Sequence, residues 1–247
     1  MSIPTSHPRY LSLKTRDKIV FGVKKGITSI HGLIAHGRGE AFDYLLGERT
    51  NDFALESIDS ASAMLLLAKY PVISVNGNSA ILVPKEIAQL AIIIPAKIEV
   101  NIFHGSSVRE KKIKEWLITN GAKDVLLPQR NNSLIIPYIS HNRRYVNKQG
   151  IYNADVVFAP LEDGDRVGAL VKIGRKVITI DLNPLSRTAQ SSTVTIIDNI
   201  IRAMPIMIKR TREYKSKGNK RELEHITIKY NNKKILNSAL RFIKRMG

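Results

Sequence analysis

From Pro71 onward, short apolar runs alternate with helical segments, and that alternation limits the fold more than any other feature of the chain. Runs at 72–75, 98–103, 124–127, 155–159, 176–180 and 193–197 place apolar residues on both faces of an extended chain. Strands of that kind need cover on both sides, which a parallel sheet receives from its crossover helices. Helical spacing falls between them at 84–93, 108–120, 166–173 and 200–214. The segment 108–120 is the most sharply bounded. Ser107 and Glu110 have capping-box spacing, and Gly121 stands where a left-handed residue ends a helix. The expected class is α/β, a parallel sheet flanked by helices.

Ahead of the sheet, helices are expected at 8–25, ended by Gly26, at 38–46 after a turn at His36 and Gly37, and at 53–70. Asn51 is the expected cap of the third, and Pro71 stops it. The 247 residues therefore read as one unit: an N-terminal helical layer (1–70), the sheet (71–208) and a C-terminal helical tail (209–247). Segment 128–150 is either a flexible active-site loop or a surface loop.

The chain has no cysteine, so disulfides, thiolate metal sites and cysteine nucleophiles are excluded. Its six histidines show no HExxH spacing, which argues against a zinc enzyme. The first ten residues lack an apolar signal core, and the most apolar stretch, 87–98, is too short for a membrane span. A cytoplasmic location is expected. Of the net charge of +18, the tail holds thirteen Lys and Arg against three Glu. A solvated lysine-rich helical face accounts for that better than nucleic-acid binding, because the tail has no interleaved aromatics.

In open parallel sheets, ligands bind beyond the carboxyl ends of the strands. Those ends nominate Asn76–Gly77–Asn78, His104–Gly105, an acidic group at Glu162, Asp163 and Asp165, the run Asp181, Leu182, Asn183 through Arg187 and Thr188, and Asp198 with Asn199. Asp181 and Asn183 can read ribose hydroxyls or a base edge, while Arg187 and Thr188 suit phosphate oxygens. An ordinary Asn-Pro turn with Asp181 as a helix cap explains the same letters. Asp198 can likewise serve only as a cap. The acidic group can hold Mg²⁺ or simply favour a helix dipole. Arg38 lies between Gly37 and Gly39, where a phosphate clamp is chemically reasonable, yet neither GxxxxGK[ST] nor a strand-linked GxGxxG occurs.

The segments SHPRY (6–10), GLIAHGRGEAFDYLLGE (32–48), PVISVNGN (71–78), ADVVFAPLEDGDR (154–166) and IDLNPLSRTA (180–189) resemble the archaeal phosphopantothenate synthetase family, the 4-phosphopantoate–β-alanine ligases. They follow one another in order, and the likeness covers most of 6–205; it is looser at 127–147 and after Lys209. The resemblance implies a Rossmann-like core, a homodimer, and a ligase joining 4-phosphopantoate to β-alanine while ATP becomes AMP and diphosphate, on the archaeal route to coenzyme A. It implies ATP-binding roles for Arg16, Arg38, Asp181, Leu182, Asn183, Arg187, Thr188, Asn199 and Ile200, with Mg²⁺ as companion. Arg16 is marked by the resemblance alone. The chemistry further nominates His36 as a general base or phosphate ligand. A nucleic-acid-binding protein and a non-catalytic ATP-binding regulator are the competing readings.

Overall fold

In a computed structural model, residues 4–7, 9–103, 106–130 and 134–246 are described. Six strands, β1 (Pro71–Val75), β2 (Lys97–Val100), β3 (Val125–Leu126), β4 (Val156–Phe158), β5 (Lys176–Ile180) and β6 (Val194–Ile196), pair in the order β3-β2-β1-β4-β5-β6. All five pairings are parallel. The chain builds outward from β1 to β3, then returns to lay β4 on the opposite side of β1. A crevice therefore opens at the carboxyl ends of β1 and β4, where helices leave in opposite directions. The expected α/β class holds.

Register explains why the strands are apolar on both faces. Ile73 pairs with Phe158 and Phe158 with Ile178, while Val72 pairs with Val157 and Val157 with Val177. The first row lies in a large core with Ile58, Leu90, Ile113 and Met204; the second packs against Val167 and Leu170. The helices of the first core include α3 (Asp52–Leu67), α5 (Pro84–Ile93), α6 (Ser107–Thr119) and α9 (Ile200–Lys217), and α7 (Gly164–Lys172) covers the second. A third apolar cluster joins Phe53, Leu182 and Ile197 to Ile235, Leu236 and Ala239 of α11 (Asn232–Met246). The basic tail, which also contains α10 (Lys220–Lys229), is thus anchored by an apolar face. Among the described residues, no helix is long and apolar enough to cross a membrane.

Several local expectations change. α1 spans Tyr10–Lys24, and α2 spans Ile30–Leu45, so His36–Gly37 is no turn before a helix; it lies inside one. Ser29 starts α2 by accepting the Gly32 N–H at 3.4 Å, and tertiary contacts carry the helix through Gly37 and Gly39 although each costs roughly 1 kcal/mol against alanine. α4 (Gly77–Leu82), a helix not anticipated from the sequence, begins directly after β1, because Asn76 and Ser79 form a reciprocal capping box. The cap of α6 is Ser106, which accepts the Arg109 N–H; Glu110 turns away to Arg130 at 2.7 Å. Gly121 does follow α6 at φ +101°. A short α8 (Arg187–Ser191) is capped by Ser186, not by Asp181. Strand β2 ends at Val100, earlier than expected; His104, Gly105, Asn131, Asn132 and Pro8 lie outside the described residues.

The segment between β3 and β4 is not a surface loop. Ile136, Ile139, Val146 and Ile151 are buried against the second face of the sheet, in place of a crossover helix. Glu99 on β2 fastens it: the fully buried carboxylate accepts N–H bonds from Asn147 (3.0 Å) and Ile151 (2.7 Å). Burial pushes the Glu99 carboxyl up to about 7, against the pull of those bonds and of Arg166. Because the folded value lies above the unfolded one, this group's contribution is full below the unfolded value near 4.5 and is lost as pH rises through about 7. Urea unfolding of the wild type and of Glu99→Gln across that window should show the difference between them drifting by roughly 3 kcal/mol against the wild type. A constant difference would contradict the assignment.

Candidate active site at the carboxyl edge of the sheet

Beyond β5, Asp181 accepts bonds from the Asn183 N–H (2.9 Å) and from the Ser186 hydroxyl, while Asn183 accepts the Leu185 N–H at 2.9 Å. Burial raises the Asp181 carboxyl, and the charge of Arg38 opposes that rise. Arg38 and Asp181 are therefore electrostatic neighbours, although one is on α2 and the other at a strand end. Leu182 supports this approach, lying 3.6 Å from where a Cβ on Gly39 would stand. Arg187 is exposed at the start of α8. Thr188 is buried, and its hydroxyl donates to the Glu162 carbonyl at 2.7 Å, so that hydroxyl is already engaged.

Beyond β6, Asn199 caps the long helix α9, and Ile200, its first residue, is buried. Asp198 is no cap; it takes bonds from Thr50 (2.6 Å) and Arg202 (2.7 Å). Asn199 donates to Asp43 of α2 at 2.8 Å, and Arg202 reaches the same carboxylate at 2.5 Å. A polar cavity of about 170 Å³ lies here between α1, α2 and α9, lined by Ser12, His36, Glu40, Asp43, Asn199 and Arg202. Arg16 borders it through Glu40, which it binds at 2.7 Å. Burial would raise the Glu40 carboxyl, but bonds from Arg16, Ser12 and Tyr44 outweigh it and hold the group ionised. His36 is half-buried. Its Nε2 is wholly buried and has no hydrogen-bond partner among the described residues. Burial, aided by Arg16, lowers its pKa, so the ring is neutral near pH 7.

A second cleft, about 290 Å³, occupies the crevice where the strand order reverses, with Ser29, Arg38, Asn76, Gly77, Arg109 and Arg143 in its wall. Asn76 is structural: it donates to the carbonyls of Pro160 (3.1 Å) and Leu161 (2.9 Å), tying β1 to the chain after β4. Asn78 likewise donates to Gly32 of α2 at 2.8 Å. Sequence reasoning missed Arg109, which reads as one more cation of a basic helix; its place in the first turn after β2 was the available signal. The Arg109 Nε donates to the Ile27 carbonyl at 3.3 Å, and burial lowers its pKa.

Beneath this cleft lies an ion cluster in which the acidic residues named as Mg²⁺ candidates pair with cations of the chain. Glu162 binds Arg166 at 2.5 Å, and its other oxygen meets Arg143. Asp163 also pairs with Arg143, and Asp165 turns away to His141 at 2.9 Å. Glu162 and Asp163 thus share Arg143, while Asp165 turns to a different partner. Among the described residues no group of three or more His, Asp or Glu could hold a metal ion.

Residues 53–246 match the family model described as phosphopantothenate/pantothenate synthetase. The chain belongs to this family. Similar proteins named 4-phosphopantoate–β-alanine ligase occur in Methanosarcina mazei, 52% identical over 96% of this chain and 92% of the relative. Another is in Thermococcus onnurineus, 52% identical over 99% and 93%. A third, in Thermococcus kodakarensis, is 49% identical over 99% and 93%. In this synthetase the buried cluster is sensitive to loss of one partner, because its charges are paired away from solvent. Arg143→Met leaves Glu162, Asp163 and Asn101 without their shared donor, and denaturant unfolding should show a loss of roughly 3–5 kcal/mol. A loss below about 1 kcal/mol would mean the cluster adds nothing to the fold.

Proposed function

We propose that this chain joins 4-phosphopantoate to β-alanine with conversion of ATP to AMP and diphosphate, a step of coenzyme A biosynthesis, through an acyl-adenylate in the cytoplasm. Family membership supports the overall reaction, and the location of Arg38 is the observation that carries the site. It borders the crevice cleft while acting electrostatically on the Asp181 loop. A nucleotide held at Asp181, Leu182, Asn183, Arg187, Thr188, Asn199 and Ile200 would present its phosphates toward α2. An acid substrate in the crevice would meet them at Arg38. Arg16 would act from the neighbouring α1, beside Glu40.

A carboxylate oxygen of the acid attacks the α-phosphorus, forming one P–O bond as the bond to diphosphate breaks. Both reactants are anions, so fixed guanidinium charge is what brings them together, without any proton transfer. The β-alanine amine nitrogen then bonds to the acyl carbon, loses a proton, and the bond to AMP breaks. His36 is neutral near pH 7 and offers an unpartnered ring nitrogen, which suits it to accept that proton or to donate to a phosphate oxygen. The carboxylates at 162, 163 and 165 do not form a cage, so Mg²⁺ is assigned to the triphosphate that carries it in. The homodimer is retained in the proposal. Ile30, Ile34 and Leu45 form an exposed apolar strip along α2, 46–65% accessible, suited to a second copy.

With ATP, Mg²⁺, 4-phosphopantoate and β-alanine, the purified protein should yield AMP and diphosphate in step with amide. ADP and inorganic phosphate would instead indicate an acyl-phosphate route. Arg187→Ala should weaken ATP binding about tenfold or more with the fold intact, measured by calorimetry. Unchanged affinity would remove Arg187 from the site.

A further inference from the structure

Resting on that reaction, we propose that Asp43 is a positioning residue for it: Asp43 locks α2 to the head of α9, so that Arg38 stays in register with the nucleotide. α2 buries little apolar surface. Of its 16 residues, the two that are buried are Glu40 and Asp43, both carboxylates. Leu33 and Phe42 pack only partly against the cores, and Ile30, Ile34 and Leu45 are exposed. A helix without a packed apolar face takes its place from polar contacts instead. Glu40 reaches back to Arg16 of α1. Asp43 supplies the tie to α9.

Both oxygens of Asp43 make that tie. One accepts the side-chain amide of Asn199 at 2.8 Å and an Arg202 nitrogen at 3.1 Å; the other accepts Arg202 at 2.5 Å. Asn199 turns its own oxygen to the Ile201 N–H at 3.3 Å, so its amide is fixed at both ends. Arg202 is held in turn by Asp198, which also accepts the Asn199 N–H at 2.7 Å and the Thr50 hydroxyl at 2.6 Å. The head of α9, where the nucleotide is proposed to lie, is thereby set against α2 before a ligand arrives. Arg38 is on the same helix, roughly 7.5 Å back along its axis and turned about 140° to the crevice side. Asp43 takes no part in bond making. It acts through Arg38 and Asn199, and a misplacement of about 1 Å between such groups slows a transfer roughly a hundredfold.

The test combines calorimetric ATP binding with steady-state AMP formation by full-length wild type, Asp43→Asn and Asp43→Glu. The first variant keeps the size and loses the charge; the second keeps the charge on a longer arm. Both should bind ATP with unreduced stoichiometry, with the dissociation constant raised about threefold to tenfold and kcat lowered about tenfold to a hundredfold. A loss in Asp43→Glu marks position rather than charge as the cause, and that variant carries the test should Asp43→Asn not fold. Wild-type kcat in either variant, or a kcat loss matched by an equal loss of binding-competent protein, overturns the assignment. A wild type that binds ATP yet forms no AMP would instead refute the reaction on which it rests. The dissociation constants would then still decide whether Asp43 sets the nucleotide site.

Discussion

Glu162 accepts two buried guanidinium groups, and most of the carboxyl edge of the sheet is tied to that contact. Arg166 comes from α7 and is wholly buried; it also donates to Ser74 of β1 at 3.0 Å. Arg143 comes from the long crossover and donates to Asn101, just past β2, at 3.1 Å. One carboxylate therefore links β1, the end of β2, the crossover and α7. Replacing such a group with apolar residues often costs little, whereas removing one partner leaves a stranded charge. The cluster fixes the floor of the crevice. Arg38 borders the cleft above that floor.

Charge is thus handled in two separate layers. In the floor, cations and carboxylates cancel one another. On α2, Arg38 is the cation proposed to serve anions that come from outside, while Arg16 of the neighbouring α1 is held by Glu40. His36, Glu40 and Asp43 face the cavity near α9, while Ser29 and Arg38 face the crevice. A single helix consequently borders the two clefts proposed for nucleotide and acid. The carriage of Arg38 on a helix, instead of a glycine-rich loop, gives its guanidinium a rigid base, and rigid placement is what an associative step between two anions needs.

The sheet was legible because its strands are apolar on both faces, and the strand-end rule then led to Asp181, Asn199 and the Asn76 region. Other features left no periodic trace. Gly32, Gly37 and Gly39 interrupt the helical pattern of α2, and the start of α4 at Asn76–Gly77 reads equally well as a turn. The crossover residues Ile136, Ile139, Val146 and Ile151 are scattered among polar neighbours without a helical or strand period. The ion cluster joins residues far apart in sequence, so pairwise spacing could not reveal that Glu162 belongs to two arginines rather than to a metal. Arg109 was hidden by its basic neighbours, and Arg16 was visible only through family likeness.

The central claim is that fixed guanidinium charge, with Arg38 of α2 foremost, brings the substrate carboxylate onto the α-phosphorus of ATP. The most direct measurement follows oxygen. With 4-phosphopantoate labelled by ¹⁸O in its carboxylate, a full turnover with ATP and β-alanine should move one labelled oxygen into AMP, read by mass spectrometry. Label found in inorganic phosphate, or AMP formed without label, would contradict the account.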